Sequence, residues 1–106
     1  MNLYTYIQNL ENEITQEQVD AIRNSLEERQ LDLEMQEPMS DGVTHDNWEE
    51  KYEEINTILD VVSTLEDLLV NEADETQIKE AILDLQSEVD MYQLFYGGLK
   101  RHKINI

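Results

Sequence analysis

Residues 48–98 read WEEKYEEINTILDVVSTLEDLLVNEADETQIKEAILDLQSEVDMYQLFYGG, and this half of the chain decides the fold. Trp48, Tyr52, Ile55, Leu59, Val62 and Leu69 recur at steps of three, four and seven, which puts them on one helical face. Ile58, Val61, Leu65 and Leu68 widen it. Asp46 or Asn47 can cap the start, so the spacing predicts a helix over 47–70, roughly 35 Å long at about 1.5 Å per residue. Asn71-Glu72-Ala73-Asp74 makes a short turn, and Asp74 with Gln77 has the spacing of a capping box. Ile78, Ile82, Leu85, Val89, Tyr92 and Tyr96 predict a fourth helix over 75–96. Gly97-Gly98 ends it, because glycine takes the left-handed conformation of a C-cap at little cost. Two long helices joined by so short a turn must pack antiparallel.

Upstream, Leu3, Ile7, Leu10 and Ile14 share a face and predict a first helix over 2–13. Thr15 and Gln18 then form a capping box that opens a second helix over 16–35. Its apolar stripe, Val19, Ile22, Leu26 and Leu33, is interrupted at Arg29 and Gln30, and one bent helix is the other arrangement the spacing allows. The only proline, Pro38, and Ser40-Asp41-Gly42 mark 36–46 as a loop. There is no strand alternation and no fixed-period repeat. The expectation is an all-α bundle of about four helices over 1–96, followed by a short basic C-terminal tail over 97–106. The wide apolar face of the third helix makes it either the centre of the bundle or part of a homodimer contact.

At 106 residues the chain suits one domain, and 40% hydrophobic content supplies a core. It has no cysteine, which excludes disulfides, thiol catalysis and cysteine-ligated metal and fits a reducing compartment. The first residues lack the basic and apolar regions of a secretory signal, and no window has the roughly 18 to 20 apolar residues of a bilayer span. The reading is a cytoplasmic protein.

Chemistry is sparse. Neither His45 nor His102 has a second histidine three or four residues away, and there is no Glu-x-x-His or HExxH pattern. Asp41, Thr44, Asp46 and Glu49 lack the ligand alternation and glycine position of an EF-hand loop. No phosphate-binding glycine loop or nucleophile elbow occurs. No catalytic residue, cofactor or metal is expected, and enzyme is the class the sequence supports least.

Charge is the outstanding feature. The net charge is −18, and residues 1–96 hold four basic residues against all 25 acidic ones, a net −21. Lys100, Arg101 and Lys103 gather in the tail. So negative a body repels nucleic acid and anionic lipid. The charge exceeds the magnitude of about 2–8 that solubility asks of a small domain, and such self-repulsion opposes folding. The carboxylates also recur at helical steps: Glu13, Glu17, Asp20, Glu27 and Glu34 along the second helix, then Glu49, Glu50, Glu53, Glu54 and Asp60 along the third. Side chains three or four apart on a helix sit about 5–6 Å from each other. Duplex DNA carries one charge per roughly 1.7 Å of axis, so stiff helices can present carboxylates on the scale of phosphates.

In size, charge and helicity the chain resembles the small acidic DNA-mimic proteins of bacteriophages and mobile elements. Those proteins block restriction, CRISPR or repair enzymes by filling a nucleic-acid channel. The resemblance, which rests on composition, size and helicity, implies a protein partner that is basic and binds nucleic acid. The charge spacing itself offers the acids above as the contact surface, and Tyr4, Phe95 and Tyr96 are the aromatic candidates because such rings are enriched at binding interfaces. The basic tail departs from that pattern. The alternative is a helical interaction or assembly module, a homodimeric adaptor or phage accessory protein, binding through apolar surface of the third and fourth helices. A continuous carboxylate stripe speaks for the first reading, and an exposed apolar patch for the second.

Overall fold

The computed structural model describes residues 1–35 and 43–104, and the side chains of all of these but 43–46. Four helices form in chain order: α1 (Leu3–Gln8), α2 (Gln16–Met35), α3 (Val43–Val70) and α4 (Glu75–Phe95). Among the described residues the only β-type pairing is an isolated antiparallel bridge between Asn2 and Lys103. The predicted all-α bundle, with a long antiparallel hairpin of the third and fourth helices, is the fold observed.

Local chemistry sets the boundaries. Thr15 Oγ1 accepts from the Gln18 amide at 3.2 Å and Gln18 Oε1 accepts from the Thr15 amide at 2.9 Å, the reciprocal capping box that starts α2. Asp74 Oδ1 accepts from the Gln77 amide at 3.0 Å and starts α4. α3 ends in a Schellman turn: Ala73 N donates to Leu68 O at 2.9 Å and Glu72 N to Leu69 O at 3.2 Å, with Glu72 at φ 53°.

Two boundaries differ from the expectation. The first helix stops at Gln8 rather than residue 13. Here the Gln86 side chain of α4 takes over, donating to the carbonyls of Ile7 at 3.1 Å and Leu10 at 3.0 Å, so these acceptors need no further helical turn. Ile14 still reaches the core from the non-helical segment before α2. At the other end, α3 begins at Val43, so four of the residues assigned to the 36–46 loop are helical and the rest of that loop lies outside the described residues.

α3 lies between α2 and α4, while α1 bridges α2 and α4 on the opposite side of the core. Ile55, Ile58, Val62 and Leu65 of α3 are buried, and Leu59, Val61, Leu68 and Leu69 pack against them from the edges. The breadth of that face is therefore used within one chain, as befits a central helix. Facing it are Val19, Ile22, Leu26 and Leu33 of α2, Ile82, Leu85, Val89 and Tyr92 of α4, and Leu3 and Ile7 of α1.

Residues 97–104 are part of this body rather than a separate tail. Leu99 is completely buried, and Ile104 is nearly so. Leu3 N donates to His102 O at 2.8 Å and Ile104 N to Met1 O at 3.3 Å, which ties the segment along α1. The sequence reading weighed only charge here and missed that Leu99 and Ile104 are apolar anchors. The molecule measures 47 × 23 × 21 Å.

Candidate protein-binding surface

The helices of the bundle turn their polar sides outward, and the predicted acids follow. Glu17, Asp20, Glu27 and Glu34 are exposed on α2, spaced so that the last three recur every seven residues on nearly one line. Glu49, Glu50, Glu53 and Asp60 are exposed on α3, and Glu13 is exposed in the segment before α2. α2 and α3 run antiparallel side by side, as the contacts Tyr52–Glu34, Gln30–Asn56 and Arg23–Glu66 show. The structure therefore brings the two rows of carboxylates onto neighbouring rods.

Few of these charges are answered inside the molecule. Among the described residues, Arg23 is the only lysine or arginine in a salt bridge, at 2.6 Å from Glu66 and 3.6 Å from Asp20. Gln16 also donates to both of these acids. Arg23 and Gln16 hold the Glu66 carboxyl below the ordinary carboxylate range. Glu34 accepts from the Tyr52 hydroxyl at 2.7 Å, an interaction that raises the phenol's pKa because it favours the protonated ring. Glu13, Glu17, Glu27, Glu49, Glu50, Glu53 and Asp60 face solvent.

Glu54 behaves differently. It is half-buried between α3 and α4, where burial and the neighbouring Glu88 carboxyl push its pKa up. It belongs to the helix seam rather than to the outer field.

The aromatic candidates also separate. Tyr4 donates to Asp90 Oδ1 at 2.7 Å and carries Lys100 Nζ 5.0 Å above its ring centre, so it ties α1 to α4 and to the C-terminal segment. Tyr96 is half-buried against Tyr92, with ring centres 5.2 Å apart. Phe95 alone of the three points outward, 68% exposed. Trp48 and Tyr52 stack at 5.4 Å on the core side of α3, and Trp48 Nε1 donates to Leu33 O.

Two features escaped the sequence reading. Arg29, which interrupts the apolar stripe of α2, extends to Gly98, where an added Cβ would meet its guanidinium at 2.8 Å, and it lies beside the buried Tyr92 hydroxyl. The interruption itself was the available signal. The second is where the apolar surface expected of the fourth helix lies: on Leu83, Met91 and Leu94, which steps of eight and three place on the side away from the core. These positions were hidden by the stronger pattern of core residues on the same helix.

A cleft of about 1090 Å³ opens where the α1–α2 connection meets the C-terminal segment, with Tyr6, Leu10, Ile14 and Ile104 as apolar walls and Glu13 and Glu75 at its edge. Among the described residues, no three His, Asp or Glu side chains converge in a way that could hold a metal ion, and no helix is long and apolar enough to cross a membrane.

No family model matches this chain, and no curated protein or solved structure is significantly similar to it.

Proposed function

We propose that the chain is a non-enzymatic inhibitor that covers the basic surface of a nucleic-acid-binding protein with the carboxylate rows of α2 and α3. One observation carries this reading: the acids stand on internally packed helices and face solvent, and among the described residues the only lysine or arginine in a salt bridge with any of them is Arg23. Backbones already fixed in helices need no ordering on binding, so only the side chains lose freedom, and attraction between complementary potentials accelerates encounter. The mean helical rise places successive carboxylates of the Asp20–Glu27–Glu34 row about 10 Å apart, with the α3 row beside them to fill the intervals.

The test is capture from nuclease-treated lysate by the intact chain and by a variant carrying Glu27→Gln, Glu49→Gln, Glu53→Gln and Asp60→Asn. The reading expects nucleic-acid-binding proteins to be retained at about 0.05 M salt, released by DNA, and largely lost at about 0.5 M salt, where screening is strong. The neutralised variant should retain far less of them. Retention of the same proteins by both forms, or retention indifferent to salt and DNA, would overturn it.

A second reading, the interaction or assembly module, is favoured by the exposed Leu83, Met91, Leu94 and Phe95 of α4. It expects complexes that persist at high salt.

A further inference from the structure

α4 is apolar on two sides. Its inner side, Ile82, Leu85, Val89 and Tyr92, is buried in the bundle. Its outer side presents Leu83 at 53%, Met91 at 47% and Leu94 at 78% exposure, with the small Ser87 between them and Phe95 beside them. From Leu83 to Leu94 the stripe runs about 17 Å along the helix axis. Leaving so much apolar side chain in water on the most charged of surfaces is costly, and nothing in the bundle requires it.

The borders of the stripe are unequal. Towards α3 they carry acids: Asp84 and Glu88 on α4, then Glu54 and Glu50 across the seam. Towards α1 the charge is mixed, because Asp90 is tied to Tyr4, beneath Lys100, and Lys79 lies on the same side. A second copy of this chain would bring Asp84 and Glu88 against acids of its own kind, which disfavours self-association. A helix with an apolar seam and lysines or arginines along one flank would fit: its seam on Leu83, Met91 and Leu94, its basic flank over Asp84 and Glu88.

We infer that the outer face of α4 is the docking site for a basic amphipathic helix of the partner protein. This rests on the reading above that the partner is basic, and it adds a specific anchor: the carboxylate rows attract the partner while the α4 stripe holds one helix of it in place. Glu54 and Glu88, which repel each other in the free protein, gain a cationic neighbour in the complex.

Two synthetic helical peptides of equal lysine content test it on the intact chain, one with a leucine seam and one with serine in place of each leucine. The seam peptide should bind at least about tenfold more tightly, the order that burial of one leucine supplies. Its shifts in a heteronuclear NMR spectrum should centre on residues 83–95. Replacing both exposed leucines, Leu83→Ser and Leu94→Ser, should abolish the preference and leave binding of the serine peptide unchanged. These sites face solvent, so the variant's circular dichroism and unfolding midpoint should match the parent. Equal affinity for the two peptides, a preference that survives in the variant, or a parent dimer that the variant converts to monomer would overturn the inference while leaving the electrostatic reading intact. Failure of both peptides to bind at low salt would overturn both.

Discussion

Glu54 shows how the excess of acid affects individual residues. Packed half-buried against Glu88, it has a pKa raised above its usual 4.5 by burial and by that second carboxyl. A raised carboxyl pKa in the folded state means that folding favours the protonated form. The associated stability is fully present below about pH 4.5 and lost as the pH rises through the shifted value. Glu54→Gln removes the repulsion without removing the side chain's bulk. The variant should unfold in urea with the same free energy as the parent near pH 4 and be more stable by about 0.5 kcal/mol at pH 8, the usual size of a like-charge contact between helical side chains. Gly97 and Gly98 make a second comparison. Both have positive φ, 71° and 95°, so alanine at either should cost about 1 kcal/mol. Gly98 also abuts the Arg29 guanidinium, whereas nothing lies within 4 Å of a Cβ at Gly97. Gly98→Ala should therefore lower stability by about 1–3 kcal/mol and exceed the loss in Gly97→Ala, as measured by equilibrium unfolding.

At the level of the helices, the chain's own capping logic predicts a stabilised form. α3 ends in a Schellman turn whose left-handed position is held by Glu72 at φ 53° rather than by glycine. The carboxylate there also faces the negative end of the α3 dipole. Glu72→Gly should raise the unfolding free energy by about 1 kcal/mol, and an unchanged or lower midpoint would refute this account of the turn. How much of each element could be read in advance follows from the same physics. α2 and α4 were legible because their caps, Thr15 with Gln18 and Asp74 with Gln77, are set by side chains three residues apart. The end of α1 was not, because it is set by Gln86, a residue far along the chain whose amide meets the α1 carbonyls only after folding. The acidic rows could be read from helical spacing alone. The separation of Glu54 from them could not, since it depends on which side of α3 the fourth helix occupies.

The whole molecule stores charge repulsion that salt can relieve. With a net charge of −18 and, among the described residues, salt bridges of lysine or arginine centred on Arg23 alone, most carboxylates repel one another across the surface. Raising ionic strength from about 0.01 to about 1 M shortens the screening length from roughly 30 to roughly 3 Å. The thermal midpoint should rise by about 5 °C over that range, a shift of roughly 1 kcal/mol for a domain of this size. A midpoint that falls with sodium chloride would mean that attractive ion pairs dominate instead. Binding to a basic partner should act as salt does: relief of this repulsion strengthens the complex, and the bound protein is expected to melt above the free one by the gain that mass action dictates.

The clasp between Met1–Leu3 and His102–Ile104 has a consequence for chain order. Because these segments already lie side by side, a few linking residues could close them into a continuous strand-like connection, and new termini could be opened in the exposed Asn71–Glu72 turn. Such a circular permutant would begin with α4 and finish with α3, yet keep every helix in its place. Separating the α3–α4 hairpin into two distant pieces of sequence would turn a short-range contact into a long-range one, slowing folding while the finished shape stayed the same.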